Sequence, residues 1–87
     1  MVSFVSTEAV ILVNVDIGKE EIAFQKLLEI PEVKEAYIVY GIHDLIAVVK
    51  ADGLEELRQV VVQKIRKIEG VRNTITCIVV KKEVKST

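Results

Sequence analysis

Apolar and polar positions alternate along this chain in two different periods. Four runs rich in β-branched residues predict β-strands, at residues 9–16, 33–40, 45–51 and 71–83. Between them, two stretches carry apolar side chains three or four positions apart and predict amphipathic helices, at residues 19–30 and 54–70. The sequence therefore predicts the order strand, helix, strand, strand, helix, strand.

Residue types near the helix ends support these boundaries. Pro31 ends the first helix, because proline disfavours the helical conformation in the residue before it. Asp52 and Glu55 resemble a capping box that would start the second helix, and Gly70 ends that helix. The predicted inner stripes are Ile22, Ala23, Leu27 and Ile30 in the first helix, and Leu54, Leu57, Val61, Ile65 and Ile68 in the second. Residues 1–7 and 84–87 are predicted to be loose ends.

Two βαβ halves in this order predict a ferredoxin-like sandwich of the α+β class. Its antiparallel sheet has the strand order 4-1-3-2, with both helices on one face. A weak internal echo supports the two halves, since residues 30–35 parallel residues 68–73. We expect a single domain over residues 1–87, with its core from about residue 8 to residue 83.

Both faces of this predicted sheet are apolar, although two helices can cover only one of them. Side chains on the two faces alternate along each strand. In strand one, one face carries Ala9, Ile11, Val13 and Val15 and the other carries Val10 and Leu12; in strand three, Leu45, Ala47 and Val49 lie opposite Ile46 and Val48; and in strand four, Ile75, Cys77 and Val79 lie opposite Ile78 and Val80. An exposed apolar patch usually marks an interface, so we expect a two-fold dimer through the sheets. The alternative is that these residues reflect only strand propensity.

Charge and cysteine content narrow the classes of function. Twelve basic and thirteen acidic residues are scattered through the chain, which argues against a dedicated nucleic-acid surface. Cys77 is the only cysteine and cannot form an intrachain disulfide. No signal sequence and no apolar run of about 18 residues is present, so a cytoplasmic protein without a membrane span is expected.

The only histidine lies in a short polar turn between the second and third strands, at Tyr40-Gly41-Ile42-His43-Asp44. Strand directions place this corner at the same end of the sheet as the start of strand four and the end of strand one. Those ends carry Asn73, Thr74 and Thr76, and Asn14 and Asp16. Strands two steps apart are separated by roughly 10 Å, so a ligand touching both the corner and strand four is expected to bridge subunits.

The chemistry of this corner suits an amino acid. Asp44 could accept hydrogen bonds from an ammonium group, and turn amides or the hydroxyls of Thr74 and Thr76 could donate to a carboxylate. Simpler explanations stay open. Gly41 could serve only a positive φ, Asp44 only the turn amides, and the threonines only strand formation.

Catalytic and metal chemistry find little support. His43 and Cys77 are the only candidates for nucleophilic catalysis or soft-metal binding, and neither has partners in the sequence. CxxC pairs, histidine clusters and glycine-rich phosphate loops are absent. We therefore predict no catalytic residue, no metal and no cofactor.

The corner and strand four resemble the effector-binding (RAM) domain of the Lrp/AsnC transcription regulators. Gly41-Ile42-His43-Asp44 matches the family's G-x-x-D turn, residues 45–49 match the strand that follows it, and residues 68–76 match its helix exit and T-x-T strand. The resemblance spans roughly residues 7–83. It implies a ferredoxin-like domain that dimerises through its sheets, assembles further, often into octamers, and binds free amino acids at subunit interfaces. It also implies a pocket lined by Gly41, Ile42, His43, Asp44, Thr74 and Thr76, beside which Tyr40 completes the candidate set.

The chain departs from the family pattern in two ways. Tyr40 and Ile42 stand where the family often has a small hydroxyl residue and a polar or acidic residue, which leaves the preferred amino acid open. The sequence has no room for the family's N-terminal helix-turn-helix domain, so a stand-alone RAM module is expected.

Three functions follow from these observations. The leading hypothesis is a non-enzymatic module that binds free amino acids and modulates Lrp/AsnC regulators. The second is a structural partner that mixes with full-length regulators without a ligand of its own. The third is a small enzyme on a dimeric α+β barrel, a fold that shares this topology.

Overall fold

The computed structural model describes residues 6–86, which form four strands and two helices. The elements are β1 (Thr7–Val15), α1 (Glu20–Leu28), β2 (Val33–Ile38), β3 (Leu45–Ala51), α2 (Leu54–Val60) and β4 (Val71–Ile78). The last turn of α2 continues as a π-helical turn, Val61–Ile65. The predicted loose ends fall partly outside the described residues, at positions 1–5 and 87.

The four strands form one sheet in the order β2-β3-β1-β4, and every neighbouring pair is antiparallel. This is the predicted order 4-1-3-2 of the ferredoxin-like fold, which is thereby confirmed. β1 and β3 are the central strands, and β2 and β4 are the edges. The starts of β3 and β4 therefore lie at the same end of the sheet as the end of β1.

The core lies between the sheet and the two helices. α1 packs over β2 and β3, while α2 packs over β3 and β1. Its largest fully buried side chains are Ile11, Val13, Leu27, Leu45, Val49, Val60 and Ile65. Burying each side chain of this size stabilises the fold by about 1.5–3 kcal/mol relative to leaving it exposed, so this cluster is the main source of stability.

Two members of the predicted helix stripes lie outside the core. Ile22 is 53% exposed and Leu54 is 64% exposed, whereas the predicted stripe residues nearer the helix centres are buried. Ile22 faces the groove between α1 and the residues after α2, and Leu54 faces the groove between α2 and β4. Both sit at the lateral edge of a helix, where helical spacing alone does not distinguish core from groove.

The start of α2 differs from the predicted capping box by one residue. Gly53, not Asp52, is the residue that precedes the helix. Glu56 reaches back so that its Oε1 accepts a hydrogen bond from the backbone N–H of Asp52, at 2.8 Å. The prediction that paired Asp52 with Glu55 is therefore wrong, although a glutamate near the start of α2 does satisfy a free backbone donor.

Several element ends also differ from the prediction. β1 begins at Thr7, and β4 ends at Ile78 instead of residue 83. The register pairs Ala9 with Ile78, and the N–H of Val79 donates to the carbonyl oxygen of Glu8 at 2.8 Å. Near residue 80, β4 has therefore reached the beginning of β1, the strand with which it pairs. β2 and α1 are each shorter than predicted by two or three residues, and α2 with its π turn ends at Ile65 instead of Gly70.

The sheet face without helices carries two apolar rows, as the alternation predicted. In one row Leu12 lies opposite Ile46 and Ile75, and in the next Val10 lies opposite Val48 and Cys77. We call these six residues the uncovered face.

At the β2 edge, the Tyr37 hydroxyl donates to Glu35 Oε1 at 2.6 Å, which raises the pKa of Tyr37.

Candidate functional site

The corner between β2 and β3 is fixed by backbone hydrogen bonds on both sides. The N–H of Val39 donates to the carbonyl oxygen of Asp44 at 2.9 Å, which closes the hairpin. The N–H of Asp44 donates in turn to the carbonyl oxygen of Val13 at 3.0 Å. Asp44 is therefore held between two strands of the sheet, and its side chain starts from a rigid position.

The carboxylate of Asp44 binds a backbone donor of β1. Its Oδ2 accepts a hydrogen bond from the N–H of Val15 at 2.9 Å. The pairing of β1 with β4 shifts register between Asn14 and Val15, and such a bulge disrupts the regular ladder. Asp44 thus satisfies a strand amide at the bulge, not a turn amide as one simpler explanation supposed.

Asn14 connects β1 to the corner through both ends of its amide. Its Nδ2 donates to the carbonyl oxygen of Ile42 at 2.9 Å, and its Oδ1 lies 3.0 Å from Nδ1 of His43. Because the amide nitrogen is already donating to Ile42, Oδ1 is the acceptor and Nδ1 of His43 carries the hydrogen. His43 is therefore held by Asn14 and presents Nε2 as its other ring nitrogen.

A polar cavity of about 310 Å³ opens beside this network. Its lining residues are Asn14, Val15, Asp44, Arg72 and Asn73. Arg72 Nε also lies 3.7 Å from Asp16 Oδ1, in an exposed ion pair. The cavity thus offers a carboxylate, a guanidinium and two amides, which are groups that can bind both ends of a zwitterion. We call it the corner cavity.

The sequence predicted most of the polar residues around this cavity but not its arginine. Asn14, Asp16 and Asn73 were expected near the corner, and the structure brings them there. Arg72 was not predicted, although it immediately precedes Asn73 in the segment that resembles the family. The signal that could have found it is its position at the start of β4, at the same end of the sheet as Asp44.

The two threonines occupy a different cavity. Thr74 lies opposite Val13 and Thr76 opposite Ile11, so both are on the helix-covered side of β4. They line a cavity of about 380 Å³ between α2 and β4, which we call the α2–β4 cavity. In a single chain Asp44 therefore lines one cavity and the two threonines line another, on the opposite side of the sheet, while the other predicted site residues line neither.

The remaining candidates sit at the tip of the corner. Tyr40 is fully exposed and Ile42 is 89% exposed, and neither lines the corner cavity. Gly41 has a φ of 159°, and a Cβ built there would meet no atom within 4 Å. The tip therefore presents two large apolar side chains to solvent, next to the polar network.

The remaining cysteine and acidic residues offer little for catalysis or metal binding. Cys77 is an exposed free cysteine on the uncovered face. Within residues 6–86, no three histidine, cysteine, aspartate or glutamate side chains cluster as a metal site would require. Nor does this part of the chain contain a helix long and apolar enough to span a membrane.

A protein-family model establishes the class of the chain. The model is described as the Lrp/AsnC ligand-binding domain, and it matches residues 8–87. The chain therefore belongs to the Lrp/AsnC family, as the G-x-x-D turn and T-x-T strand suggested.

Individual relatives agree with this assignment. An uncharacterised HTH-type transcriptional regulator of Pyrococcus furiosus is 40% identical over 70 residues, which make up 80% of this chain and 47% of that protein. The chain spans about half the length of the curated relatives it matches. The crystal structure of FFRP-DM1 is 46% identical with a TM-score of 0.81, and the match covers 85% of this chain and 99% of that one.

A more distant structure shares the fold. It is the feast or famine regulatory protein of Mycobacterium tuberculosis complexed with L-methionine, at 24% identity and a TM-score of 0.78. The match covers 91% of this chain and 53% of that one. This likeness shows the fold alone.

Proposed function

We propose that this protein is a non-enzymatic regulatory module that binds a free amino acid at an interface between subunits and modulates Lrp/AsnC transcription regulators. Its family supports this function, since the matching model is a ligand-binding domain and the curated relatives are named transcriptional regulators. In this proposal the ligand, not a chemical reaction, is the input.

The observation that carries the proposal is the corner cavity. Asp44 is held rigidly by Val13, Val15 and Val39, and Arg72 lines the same cavity. A fixed carboxylate beside a guanidinium is complementary to the ammonium and carboxylate of an amino acid. Its volume of about 310 Å³ lies at the small end of the range typical of ligand sites, which fits an amino acid better than a larger molecule.

An interface would let the threonines take part. Because Thr74 and Thr76 lie on the opposite side of the sheet from the corner cavity, a ligand that touches both groups has to lie between two copies of the chain. The uncovered face offers the surface for a first dimer, and larger assemblies such as octamers would build on it. A ligand bound at such a junction shifts the balance between assemblies by its different affinity for each of them.

Calorimetric titration with each of the twenty amino acids tests the proposal. L-methionine is an apt first ligand, because a regulator of the same fold was solved in complex with it. We expect at least one amino acid to bind, and Asp44→Asn to weaken that binding about tenfold or more, because it removes the charge that attracts the ammonium. Asn retains an oxygen that can accept from Val15, so this variant should stay folded.

The matched control is Lys67→Gln, which changes one charge on an exposed residue outside both candidate cavities. It should bind the amino acid like the unaltered protein. Absence of binding with all twenty amino acids, or equal binding by the Asp44→Asn variant, would contradict the proposed site.

A second candidate function is favoured by the uncovered face. Its six side chains, which no helix of residues 6–86 covers, could pair with the sheet of a full-length Lrp/AsnC regulator and alter its assembly without any ligand. Co-purification with such a regulator that survives Asp44→Asn, but is lost on Ile46→Lys, would support this function over the first.

A further inference from the structure

The α2–β4 cavity has a chemistry distinct from that of the corner cavity. Its walls are mainly aliphatic, with Leu57 and Val61 from the helix side and Ile78 from the strand. Two hydroxyls, from Thr74 and Thr76, lie on the strand side. The remaining lining residues are Leu54, Arg58, Val62 and Arg66. Such a pocket, apolar with a few polar groups, is the usual form of a small-molecule site.

The charges in this cavity are all positive. Among the residues that the structure describes, Arg58 and Arg66 are the only charged ones that line it, and no aspartate or glutamate does. Arg58 is already paired, because its Nη2 lies 3.2 Å from Glu55 Oε2. Within residues 6–86, Arg66 forms no ion pair. Arg66 is therefore the cation available to a ligand.

The π-helical turn sets the position of Arg66. The N–H of Arg66 donates to the carbonyl oxygen of Val61 at 2.9 Å, five residues back, which is the π-helical spacing. Residues four apart are neighbours on a helix surface, so Arg58, Val62 and Arg66 form one row along the cavity. Single π turns inside α-helices frequently occur at functional sites, and this one carries two of the lining residues, Val61 and Val62, with Arg66 directly after it.

We propose that the α2–β4 cavity binds an aliphatic carboxylic acid. The guanidinium of Arg66 binds the carboxylate, Thr74 and Thr76 donate hydrogen bonds to it, and the aliphatic chain packs against Leu57, Val61 and Ile78. Guanidinium groups recognise carboxylates through paired, charge-assisted hydrogen bonds, and the aliphatic walls exclude water from the rest of the ligand. The inference deepens the proposed function, because the two threonines belong to its candidate site.

Because no acidic residue within residues 6–86 lines this cavity, amino acids and 2-oxo acids should bind to it differently. The ammonium group of an amino acid finds no opposite charge in this cavity and would need Asp44 of another subunit. A 2-oxo acid carries the same carboxylate and side chain but no ammonium. We therefore expect a 2-oxo acid to bind through Arg66 without Asp44, and the corresponding amino acid to need both residues.

The test compares L-methionine with 4-methylthio-2-oxobutanoate, which differ only at C2, by calorimetric titration of the whole protein. Arg66→Gln should weaken binding of both acids about tenfold to a hundredfold, as expected for the loss of charged hydrogen bonds. Lys67→Gln, which removes the neighbouring positive charge, should leave both affinities unchanged. L-methioninamide, which lacks the carboxylate, should not bind. Asp44→Asn should weaken methionine binding far more than oxo-acid binding.

The outcomes separate this inference from the proposed function. If methionine binding depends on Asp44 but not on Arg66, the proposed function stands and the inference is wrong. If the oxo acid binds through Arg66 while none of the twenty amino acids binds, the inference stands and the proposed function is wrong. Failure of both acids to bind at millimolar concentration, or binding of L-methioninamide as tight as that of L-methionine, would overturn the inference.

Discussion

Asp44 has a structural role within the single chain, in addition to its proposed role in ligand binding. One of its oxygens accepts the hydrogen bond from Val15, so it holds the bulge at the end of β1 in place. Its charge and its other oxygen remain for a ligand. A carboxylate whose position is fixed by the fold loses little conformational entropy when it binds, which favours affinity.

This double role predicts different stabilities for two substitutions. Asp44→Ala leaves the N–H of Val15 without its acceptor and should lower the free energy of unfolding by about 1–3 kcal/mol. Asp44→Asn keeps an acceptor oxygen and should cost clearly less. Chemical denaturation of both variants measures the difference, and equal losses would show that the hydrogen bond to Val15 contributes little.

Gly70 is a second position at which the fold restricts the type of residue. It has a φ of 95°, and a Cβ there would lie 2.8 Å from Cβ of Lys19. Its carbonyl oxygen also accepts a hydrogen bond from the N–H of Asp16 at 2.8 Å, so the backbone cannot easily move away. Gly18 has a similar φ of 88° but open space where its Cβ would be.

These two glycines form a matched pair for mutation. Gly18→Ala should cost about 1–2 kcal/mol, the usual strain of a left-handed conformation. Gly70→Ala should cost more, because the contact with Lys19 adds to the same strain. Thermal or chemical unfolding gives both values, and a Gly70→Ala loss no larger than that of Gly18→Ala would mean that Lys19 relaxes at no cost.

At the scale of elements, an ion pair joins the π-helical turn to the loop before β2. Lys64 Nζ lies 2.9 Å from Glu32 Oε1 and 3.1 Å from Oε2. The backbone of Glu32 is fixed as well, since its carbonyl oxygen accepts from the N–H of Lys50 at 3.0 Å. The hydrogen bond from Lys64 lowers the pKa of Glu32 from its ordinary value of 4.5, against a smaller opposing effect of burial.

The lowered pKa gives this pair a defined pH dependence. Because folding favours ionised Glu32, the pair stabilises the fold above the unfolded pKa of about 4.5, and this stabilisation is lost as the pH falls through the lower folded value. Lys64→Gln should therefore cost roughly 0.2–1 kcal/mol at neutral pH and low salt, as partly exposed ion pairs do.

Denaturation of this variant from neutral pH down to below the folded pKa measures the effect. The gap between it and the unaltered protein should close in acid, whereas Lys67→Gln should show no such change. A gap that stays constant or widens in acid would contradict the role assigned to the pair.

At the scale of the whole molecule, the uncovered face is an apolar surface without a partner among the described residues. Its two rows place Val10, Leu12, Ile46 and Val48 on central strands, on the side that neither helix of residues 6–86 covers. An antiparallel sheet with one wet face usually shows polar residues there. The pattern fits association of two copies through their sheets.

Ile46→Lys tests this association. A lysine in the middle of the face should split a sheet-to-sheet dimer, because its charge would be buried without a partner. Folding should persist, since Ile46 points away from the core between sheet and helices. Ile17→Lys adds the same charge at a 98% exposed position outside the sheet and should leave the assembly unchanged. Analytical ultracentrifugation of both variants at micromolar concentration gives the answer, and an unaltered protein that is already a monomer would refute the dimer.

The sequence by itself determined the architecture and the position of the corner between β2 and β3. The alternation of apolar residues in β1 and β3 separated the two faces of the sheet correctly, because the side chains of each strand alternate between buried and partly exposed positions. The motifs around Gly41, Asp44 and Thr76 led to the Lrp/AsnC family, which the family model bears out. These are properties of local spacing, and spacing is what a sequence displays directly.

Only the tertiary structure decided how the site residues are arranged. Strand direction placed Asp44 and Thr74 at one end of the sheet, but the pairing of β1 with β4 puts them on opposite sides of it. The same pairing creates the bulge that Asp44 satisfies, and the packing of α2 beside β4 leaves the groove where Arg66 lies. Register and lateral packing depend on contacts between distant residues, which no single stretch of the chain specifies.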